Sequence, residues 1–242
     1  MGLLSDTYLA DLAARLTALR ASAAASIDRA AAAMTAAVQR DGLVYIFGSG
    51  HSHMLAEEAH FRAGGLAATV PILSGATMLH EGASVGTALE RLPGLMVAVM
   101  ARYPLGPSDV LVVVSTSGVN AAPVEAADIG RARGATVIAI TSAAYSAAAA
   151  QGRRRIADIA DIVLDTDAPA GDASVSVAGD LRAGPVSTVL GAALLNATLA
   201  ETARRLAAAG GAPPVYISAN MPGAADHNAE LVTRYRPRNP HL

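Results

Sequence analysis

The chain has 242 residues, of which 52% are hydrophobic and 16% are charged, and its formal net charge is −2 at pH 7. This length is typical of one large α/β domain, and the near-neutral charge argues against a nucleic acid as the main partner. Cysteine is absent, which excludes disulfides, thiolate catalysis and cysteine metal ligands. Lysine and tryptophan are also absent, so Schiff-base chemistry and tryptophan stacking platforms are excluded as well.

The apolar stretches have the composition of a buried core and not of a membrane span. The uncharged stretch 183–200, for example, contains Pro, Ser, Thr and Asn. Asp6 and Asp11 interrupt the first residues, so the order of charged and apolar residues that defines a signal peptide is missing. We therefore expect a cytoplasmic protein that contacts no membrane.

Residues 1–40 are expected to form a helical arm. Apolar residues recur there at steps of three and four: Leu9, Leu12, Leu16, Leu19, Ala23, Ile27, Ala30 and Met34. This spacing predicts an amphipathic helix, either continuous or broken near its middle. Two roles stay open for the arm: packing against the core of its own chain, or forming a dimer.

Beyond the arm, β-branched apolar runs alternate with helical patterns. The predicted strands are Leu43–Phe47, Ala67–Leu73, Val110–Val114, Thr136–Thr141 and Asp161–Leu164. The predicted helices are Ser52–Arg62, Leu95–Met100, Val124–Arg133 and a long one from Pro185 to about residue 210. Alternation of this kind predicts a doubly wound α/β fold with a mostly parallel five-stranded sheet. We expect one domain with its α/β core at 41–210 and a proline-rich tail, 211–242, that wraps around this core.

Two loops rich in serine and glycine follow the first and third predicted strands. They are Gly48-Ser49-Gly50-His51-Ser52 and Ser115-Thr116-Ser117-Gly118. A strand that leads through a glycine turn into a helix N-terminus directs free backbone N–H groups and the positive end of the helix dipole at one point. Since both loops leave the carboxyl ends of strands, they predict a site for a phosphorylated small molecule.

The known nucleotide-binding motifs do not match these loops. His53 stands where a dinucleotide fingerprint needs its third glycine, and no acidic residue closes the second strand. A phosphate-binding Gly-Lys-Ser/Thr motif is impossible without lysine. We therefore expect no cofactor.

The two loops and the string from Gly48 to Glu58 resemble the sugar isomerase (SIS) domain superfamily, whose fold is flavodoxin-like, over about residues 43–206. The resemblance is to a branch in which some members act as N-acetylglucosamine 6-phosphate dehydratases. Other members of the superfamily are phosphoheptose isomerases and N-acetylmuramic acid 6-phosphate etherases. The resemblance implies that a substrate phosphate is held by Gly50, His51, Ser52, Ser115, Thr116, Ser117 and Asn120.

Four residues are candidates for acid–base catalysis. Glu81, beside His80, matches a Glu-Gly-Ala string that carries a catalytic glutamate in the etherases, and a His-Glu pair on a loop suits proton transfer. Glu58 is the second candidate base, because phosphoheptose isomerases use a Glu-Glu pair on the equivalent helix. His227 in the tail is a candidate acid that acts in its own site or in that of a neighbouring subunit.

A metal site is the alternative for the first loop and the helix that follows it. His51, His53 and His60 lie close in sequence, but their spacing fits neither His-Glu-x-x-His nor a facial triad. We expect no metal.

Three functions remain open. The first is a lyase that abstracts the C2 proton of N-acetylglucosamine 6-phosphate and expels the C3 hydroxyl as water. The second is an aldose–ketose isomerase or deaminase, which shares the C2 step. The third is a sugar-phosphate sensor without catalysis, which ranks last because the N-terminal helix is too short and too acidic for a DNA-binding unit. For all three we expect a homodimer or a dimer of dimers with shared sites, which would bury the apolar arm.

Overall fold

The computed structural model describes residues 3–242, and its centre is a five-stranded sheet with the order β2-β1-β3-β4-β5. The strands are β1 (Val44–Gly48), β2 (Thr69–Ile72), β3 (Val110–Val114), β4 (Thr136–Thr141) and β5 (Ile162–Asp165). Every neighbouring pair is parallel. This is the flavodoxin-like doubly wound order, in which β2 is added on one side of β1 and the later strands, from β3 onwards, are added on the other side. The predicted fold class is confirmed.

Helices cover the sheet in two groups. The helices are α1 (Leu4–Ser22), α2 (Ala24–Gln39), α3 (His53–Glu58), α4 (Ala83–Leu89), α5 (Leu95–Met100), α6 (Ala121–Ala132), α7 (Ala143–Ala150), α8 (Ile156–Ile159), α9 (Ser187–Ala208) and α10 (Ala224–Tyr235). Helix α9 contacts α2 and α3, whereas α6 contacts α5 and α8. The sheet strands are buried because both groups pack on them, which explains their continuous Val/Ile runs.

The N-terminal arm consists of two helices separated at Ala23. Of the two predicted forms, continuous and broken near the middle, the broken one is present. Helix α2 packs along α9 and buries Ala30 and Met34 completely. On α1 the apolar stripe is less covered, and Leu9 is 60% exposed. The second half of the arm is therefore part of the core of its own chain.

A hairpin that the sequence analysis did not predict precedes α9. Strands β6 (Ala173–Ala178) and β7 (Leu181–Pro185) pair antiparallel. Pro185 ends β7, so the prediction that it opens the long helix is wrong by two residues. The helix begins at Ser187 because the carboxylate of Asp172 accepts hydrogen bonds from the N–H groups of Val186 (3.0 Å) and Ser187 (2.7 Å).

The proline-rich tail runs along the surface of the core and also packs side chains into it. Val215 pairs with Leu66, and α10 contributes the buried Tyr235. The guanidinium of Arg238 bonds both carboxylate oxygens of the buried Asp109, at 2.7 and 2.8 Å. The tail therefore fastens the end of the chain beside the start of β3.

In the described range, 3–242, no helix combines the length and the apolar character needed to cross a membrane.

Candidate functional site

A cavity of about 590 Å³ lies beyond the carboxyl ends of β1 and β3, where the doubly wound order reverses. Parallel α/β sheets bind their ligands at this point. All seven residues of the predicted phosphate site line the cavity: Gly50, His51, Ser52, Ser115, Thr116, Ser117 and Asn120. The structure thus brings together, from two loops far apart in sequence, the residues that the resemblance implied.

The first loop turns sharply because of its glycines. A Cβ on Gly48 would lie 2.3 Å from the carbonyl oxygen of Ser52, and Gly50 has a φ of +55°. His53, directly after the loop, is buried and its Nδ1 contacts the carbonyl of Gly50. Its Nε2 lies 3.6 Å from Glu57. His53 therefore holds the loop in shape, while Ser52 lines the cavity.

The second loop is held by its own side chains. The Ser115 hydroxyl accepts a hydrogen bond from the N–H of Gly118 (3.1 Å), and the Thr141 hydroxyl donates to the carbonyl of Thr116 (3.1 Å). Gly118 has a φ of +64°, and a Cβ there would lie 3.1 Å from the Thr141 hydroxyl oxygen. These contacts fix the backbone and leave the hydroxyls of Thr116 and Ser117 unbonded to any other described residue.

The N-terminus of α9 completes the polar floor. Ser187 and Thr188 line the main cavity and also, with Ser52 and Thr116, a small void of about 10 Å³. Helix α9 is 22 residues long, so its first turn carries the positive end of a full helix dipole. Neutral hydroxyls and a helix N-terminus converge here, which is the environment that proteins use to bind a phosphate.

Glu90 lines the cavity as well, although the sequence does not mark it as a site residue. One carboxylate oxygen accepts the hydroxyl of Ser49 at 2.5 Å, and the other accepts the Nδ2 group of Asn120 at 2.8 Å. These partners precede or follow Glu90 in sequence by 41 and 30 residues. No local motif marks Glu90, so only the tertiary structure shows that a carboxylate is oriented at this site.

The hairpin forms another wall of the cavity and brings a second carboxylate and a cation. Asp172 has both oxygens engaged at the start of α9, including a bond of 2.7 Å from the Ser187 hydroxyl to Oδ2. Arg182 lines the cavity and donates from Nε to the carbonyl of Ala173 at 3.0 Å. Asp172 therefore has a structural role, whereas Arg182 is the one cationic residue among those that line the cavity.

Neither Glu81 nor His80 lines the cavity. Both side chains are exposed on the loop before α4. The Glu81 carboxylate covers Gly75, where a Cβ would lie 2.3 Å from its Oε1 atom. The prediction that this pair forms the acid–base centre of the same chain's cavity has no support in this geometry.

The other two predicted catalytic residues also lie elsewhere. Glu58 accepts hydrogen bonds from Arg62 and from Nδ2 of Asn196 (3.0 Å), which joins α3 to α9. His227 contacts the carbonyl of Val215 through Nε2 at 2.8 Å, within the tail. A role for His227 in the cavity of a neighbouring subunit stays a prediction.

His51, His53 and His60 do not come together as a metal site within residues 3–242. Among residues 3–242, no group of three or more His, Cys, Asp or Glu side chains is arranged to hold a metal ion. His60 lies beside His241, with ring centroids 6.3 Å apart, and burial lowers the pKa of both rings. His51 alone of the three closely spaced histidines lines the cavity.

Comparison with known proteins agrees with the class that the fold defines, a doubly wound α/β domain with a polar cavity beyond the carboxyl ends of β1 and β3. A family model of the SIS domain matches residues 7–142. A UPF0309 protein of Brucella anthropi is 55% identical over 240 residues, which cover 99% of each chain. The chain therefore belongs to the SIS domain family and, at this identity, to the UPF0309 proteins.

Two solved structures share the fold at low sequence identity. A phosphoheptose isomerase from Francisella tularensis is 17% identical and has a TM-score of 0.55, with 85% of this chain and 100% of that chain covered. The sugar isomerase domain of an RpiR transcription factor from Sphaerobacter thermophilus is 19% identical, with a TM-score of 0.50 and coverage of 97% and 98%. These likenesses extend the fold assignment beyond the sequence match.

Proposed function

We propose that the cavity binds the phosphate group of an open-chain sugar phosphate and that Glu90 transfers a proton between C2 and C1 of the sugar. The chain would then be an aldose–ketose isomerase of a sugar phosphate, without a cofactor. The observation that carries this proposal is the position of Glu90, whose carboxylate is oriented by two hydrogen bonds in a cavity lined by phosphate-binding loops.

The phosphate subsite uses neutral donors. The hydroxyls of Ser52, Thr116 and Ser117 line the cavity without another partner among the described residues, next to the first turn of α9. Hydrogen bonds to a charged group contribute about 1.5–3 kcal/mol each. Three such bonds anchor the substrate at one end, which fixes the distance from the phosphate to the reacting carbons.

At the other end the reaction needs one group that accepts and returns a proton. Removal of the C2 proton by the carboxylate leaves the electron pair in a C1=C2 double bond, which forms an enediol. The former C1 carbonyl oxygen takes a proton from solvent in this step. Return of the carbon-bound proton to C1, with loss of the C2 hydroxyl proton to solvent and formation of the C2 carbonyl, then gives the ketose. Of the two carboxylates that line the cavity, Asp172 is engaged by the N-terminus of α9, so Glu90 is the base that the geometry supports.

Loss of water from N-acetylglucosamine 6-phosphate, which the sequence resemblance favours, begins with the same C2 step. It differs afterwards, because an acid must protonate the departing C3 hydroxyl. A phosphoheptose isomerase shares the fold, and this likeness supports isomerisation as the outcome. His51, which is exposed and lines the cavity, is the nearest candidate for the extra acid if water is lost.

We also propose that two copies of the chain associate near this site. The segment around Glu90 exposes apolar side chains, with Val85 55%, Leu92 54% and Val97 64% exposed. A symmetric partner would cover them. Light scattering is expected to give a dimer or a dimer of dimers, and a monomer with full activity would refute the shared-site arrangement.

Product analysis tests the reaction. The protein is incubated in D₂O with N-acetylglucosamine 6-phosphate, glucosamine 6-phosphate or a heptose phosphate, and NMR follows the C2 proton while mass spectrometry follows the product. With the heptose phosphate, the one of the three that has a C2 hydroxyl, an isomer of unchanged mass apart from deuterium at the exchanged carbon supports the proposal. Loss of one water supports the lyase, and binding without exchange supports a sensor.

A further inference from the structure

A second cavity, of about 440 Å³, shares Asn120 with the proposed sugar-phosphate site. Its walls carry three arginines and apolar side chains: Arg91, Arg153, Arg154, Val119, Ala121 and Val124. We call this cavity the arginine cleft. The proposed isomerase reaction does not use it.

Two of its three guanidinium groups have no carboxylate partner. Arg154 forms a bidentate ion pair with Asp128, both bonds measuring 2.9 Å. Arg91 and Arg153 donate only to main-chain carbonyls of the preceding helices, α4 and α7. Nη2 of Arg91 and Nη1 of Arg153 donate to no other atom of the described chain. The cleft therefore carries uncompensated positive charge and free hydrogen-bond donors.

The start of α6 adds to this charge. The helix begins at Ala121, and the N–H of Ala122 is already bonded to the carbonyl of Glu90 at 2.9 Å. The N–H of Ala121 has no such partner in residues 3–242, and it lies in the cleft wall at the positive end of a 12-residue helix. Anions are attracted to such a combination of arginines and helix terminus.

The floor of the cleft determines what else the ligand must contain. Val124, which is half-buried, presents apolar surface in the wall of the cleft beside the largely buried Val119, and such a wall suits a planar or apolar group better than another sugar. Arginine binds phosphate in a bidentate way and also stacks on flat rings. We propose that the arginine cleft binds a phosphate ester that carries a planar aromatic ring, of the kind that a nucleoside monophosphate represents.

Two sources of such a group are consistent with the geometry. The ester is either a separate ligand or the distal part of the molecule that occupies the neighbouring site, because Asn120 belongs to both cavities and donates to Glu90. In either case a ligand of the cleft lies next to the amide that orients the proposed base. The inference does not depend on the reaction proposed above.

Titration calorimetry with adenosine 5′-monophosphate tests the cleft. The double variant Arg91→Gln/Arg153→Gln is expected to weaken binding about a hundredfold, about tenfold for each arginine. The matched control is Arg20→Gln/Arg40→Gln, which removes the same charge from exposed residues far from the cleft in sequence. The control is expected to bind as the wild type does.

A pocket variant separates the cleft from the sugar-phosphate site. Ser52→Ala/Ser117→Ala is expected to leave the binding of adenosine 5′-monophosphate unchanged. The proposal is overturned if the wild type shows no saturable binding, or if this pocket variant weakens binding and the arginine variant does not. Repeating the titration with saturating N-acetylglucosamine 6-phosphate distinguishes the two sources: unchanged affinity identifies a separate ligand, and mutual exclusion identifies the distal part of one site.

Discussion

Replacing Glu90 by glutamine tests the assignment of the base most directly. Glutamine has the same length, so its Oε1 atom can still accept from Asn120, which donates at 2.8 Å in the wild type. Its NH₂ group would face the Ser49 hydroxyl, which now donates at 2.5 Å and can rotate to accept instead. The side chain therefore stays in place, and only its ability to take a proton is lost.

Kinetics should show this separation. A positioned general base contributes about 10²–10⁴-fold to the rate, equivalent to ~3–5 kcal/mol of transition-state stabilisation. We expect kcat to fall by that factor for Glu90→Gln while KM changes little, and deuterium exchange at C2 in D₂O to stop with turnover. Glu230→Gln, an exposed glutamate on α10 outside the cavity, is the control and should retain the wild-type rate.

A variant of Glu81, the rival candidate for the base, makes the test decisive. Glu81→Gln is expected to have little effect, since the Glu81 side chain lies outside the cavity. The reasoning is refuted if Glu90→Gln keeps kcat within about threefold of the wild type. A large loss for Glu81→Gln in the same experiment would move the base to the loop before α4, at a site that a second subunit completes.

Three further changes should each have a distinct effect. Ser52→Ala with Ser117→Ala removes two hydroxyls from the proposed phosphate subsite and should weaken sugar-phosphate binding by about 1.5–3 kcal/mol per hydroxyl. Calorimetry measures the affinity, and an unchanged circular dichroism spectrum checks the fold. Normal affinity would place the phosphate elsewhere. Arg238→Gln leaves a buried carboxylate without its ion-pair partner and should lower the free energy of unfolding in urea by about 2–3 kcal/mol, less than for a fully buried pair because the arginine is partly exposed. Burial lowers the pKa of His60 and His241, so below the ordinary histidine pKa of about 6.5 the unfolded chain binds more protons than the folded one. Thermal stability should then fall as the pH drops from about 7.5 to 5.5, and His241→Gln should make this dependence shallower; an identical pH profile would show that the pair does not contribute.

Much of the central sheet could be predicted from the sequence because its signal is local. The runs Val110–Val114 and Thr136–Thr141 are strands with the predicted bounds. They are continuously apolar because helices pack on both faces of the parallel sheet. The two serine-rich loops are local signals of the same kind, whereas the sequence left open whether the arm is broken, and the structure places the break at Ala23. Turn geometry at Gly48 and Gly118 follows directly from the absence of a Cβ.

The hairpin and the tail were harder to predict because their signals are not local. Strands β6 and β7 are short and most of their side chains are exposed, so the brief Ser/Val alternation in β6 is a weak signal and β7, Leu181–Pro185, has none. Asp172 initiates α9 from a position fifteen residues before Ser187, and no short motif predicts such a cap. In the tail, Asn228 bonds both the N–H and the carbonyl of Ile217, which orders a segment whose prolines indicated an irregular structure.

The sequence by itself determined that two loops of Ser, Thr and Gly follow parallel strands, and this is sufficient to predict that both loops line one cavity. It could not determine which carboxylate lines that cavity with them. The sequence favoured Glu81 because this residue lies beside His80 and begins a Glu-Gly-Ala string. Glu90, in contrast, reaches Ser49 and Asn120 only when α4 packs beside the ends of β1 and β3. A phosphate-binding loop is made by neighbours in the chain and can be predicted from them. The carboxylate that lines the cavity is oriented by contacts between distant segments, and these exist only in the folded molecule.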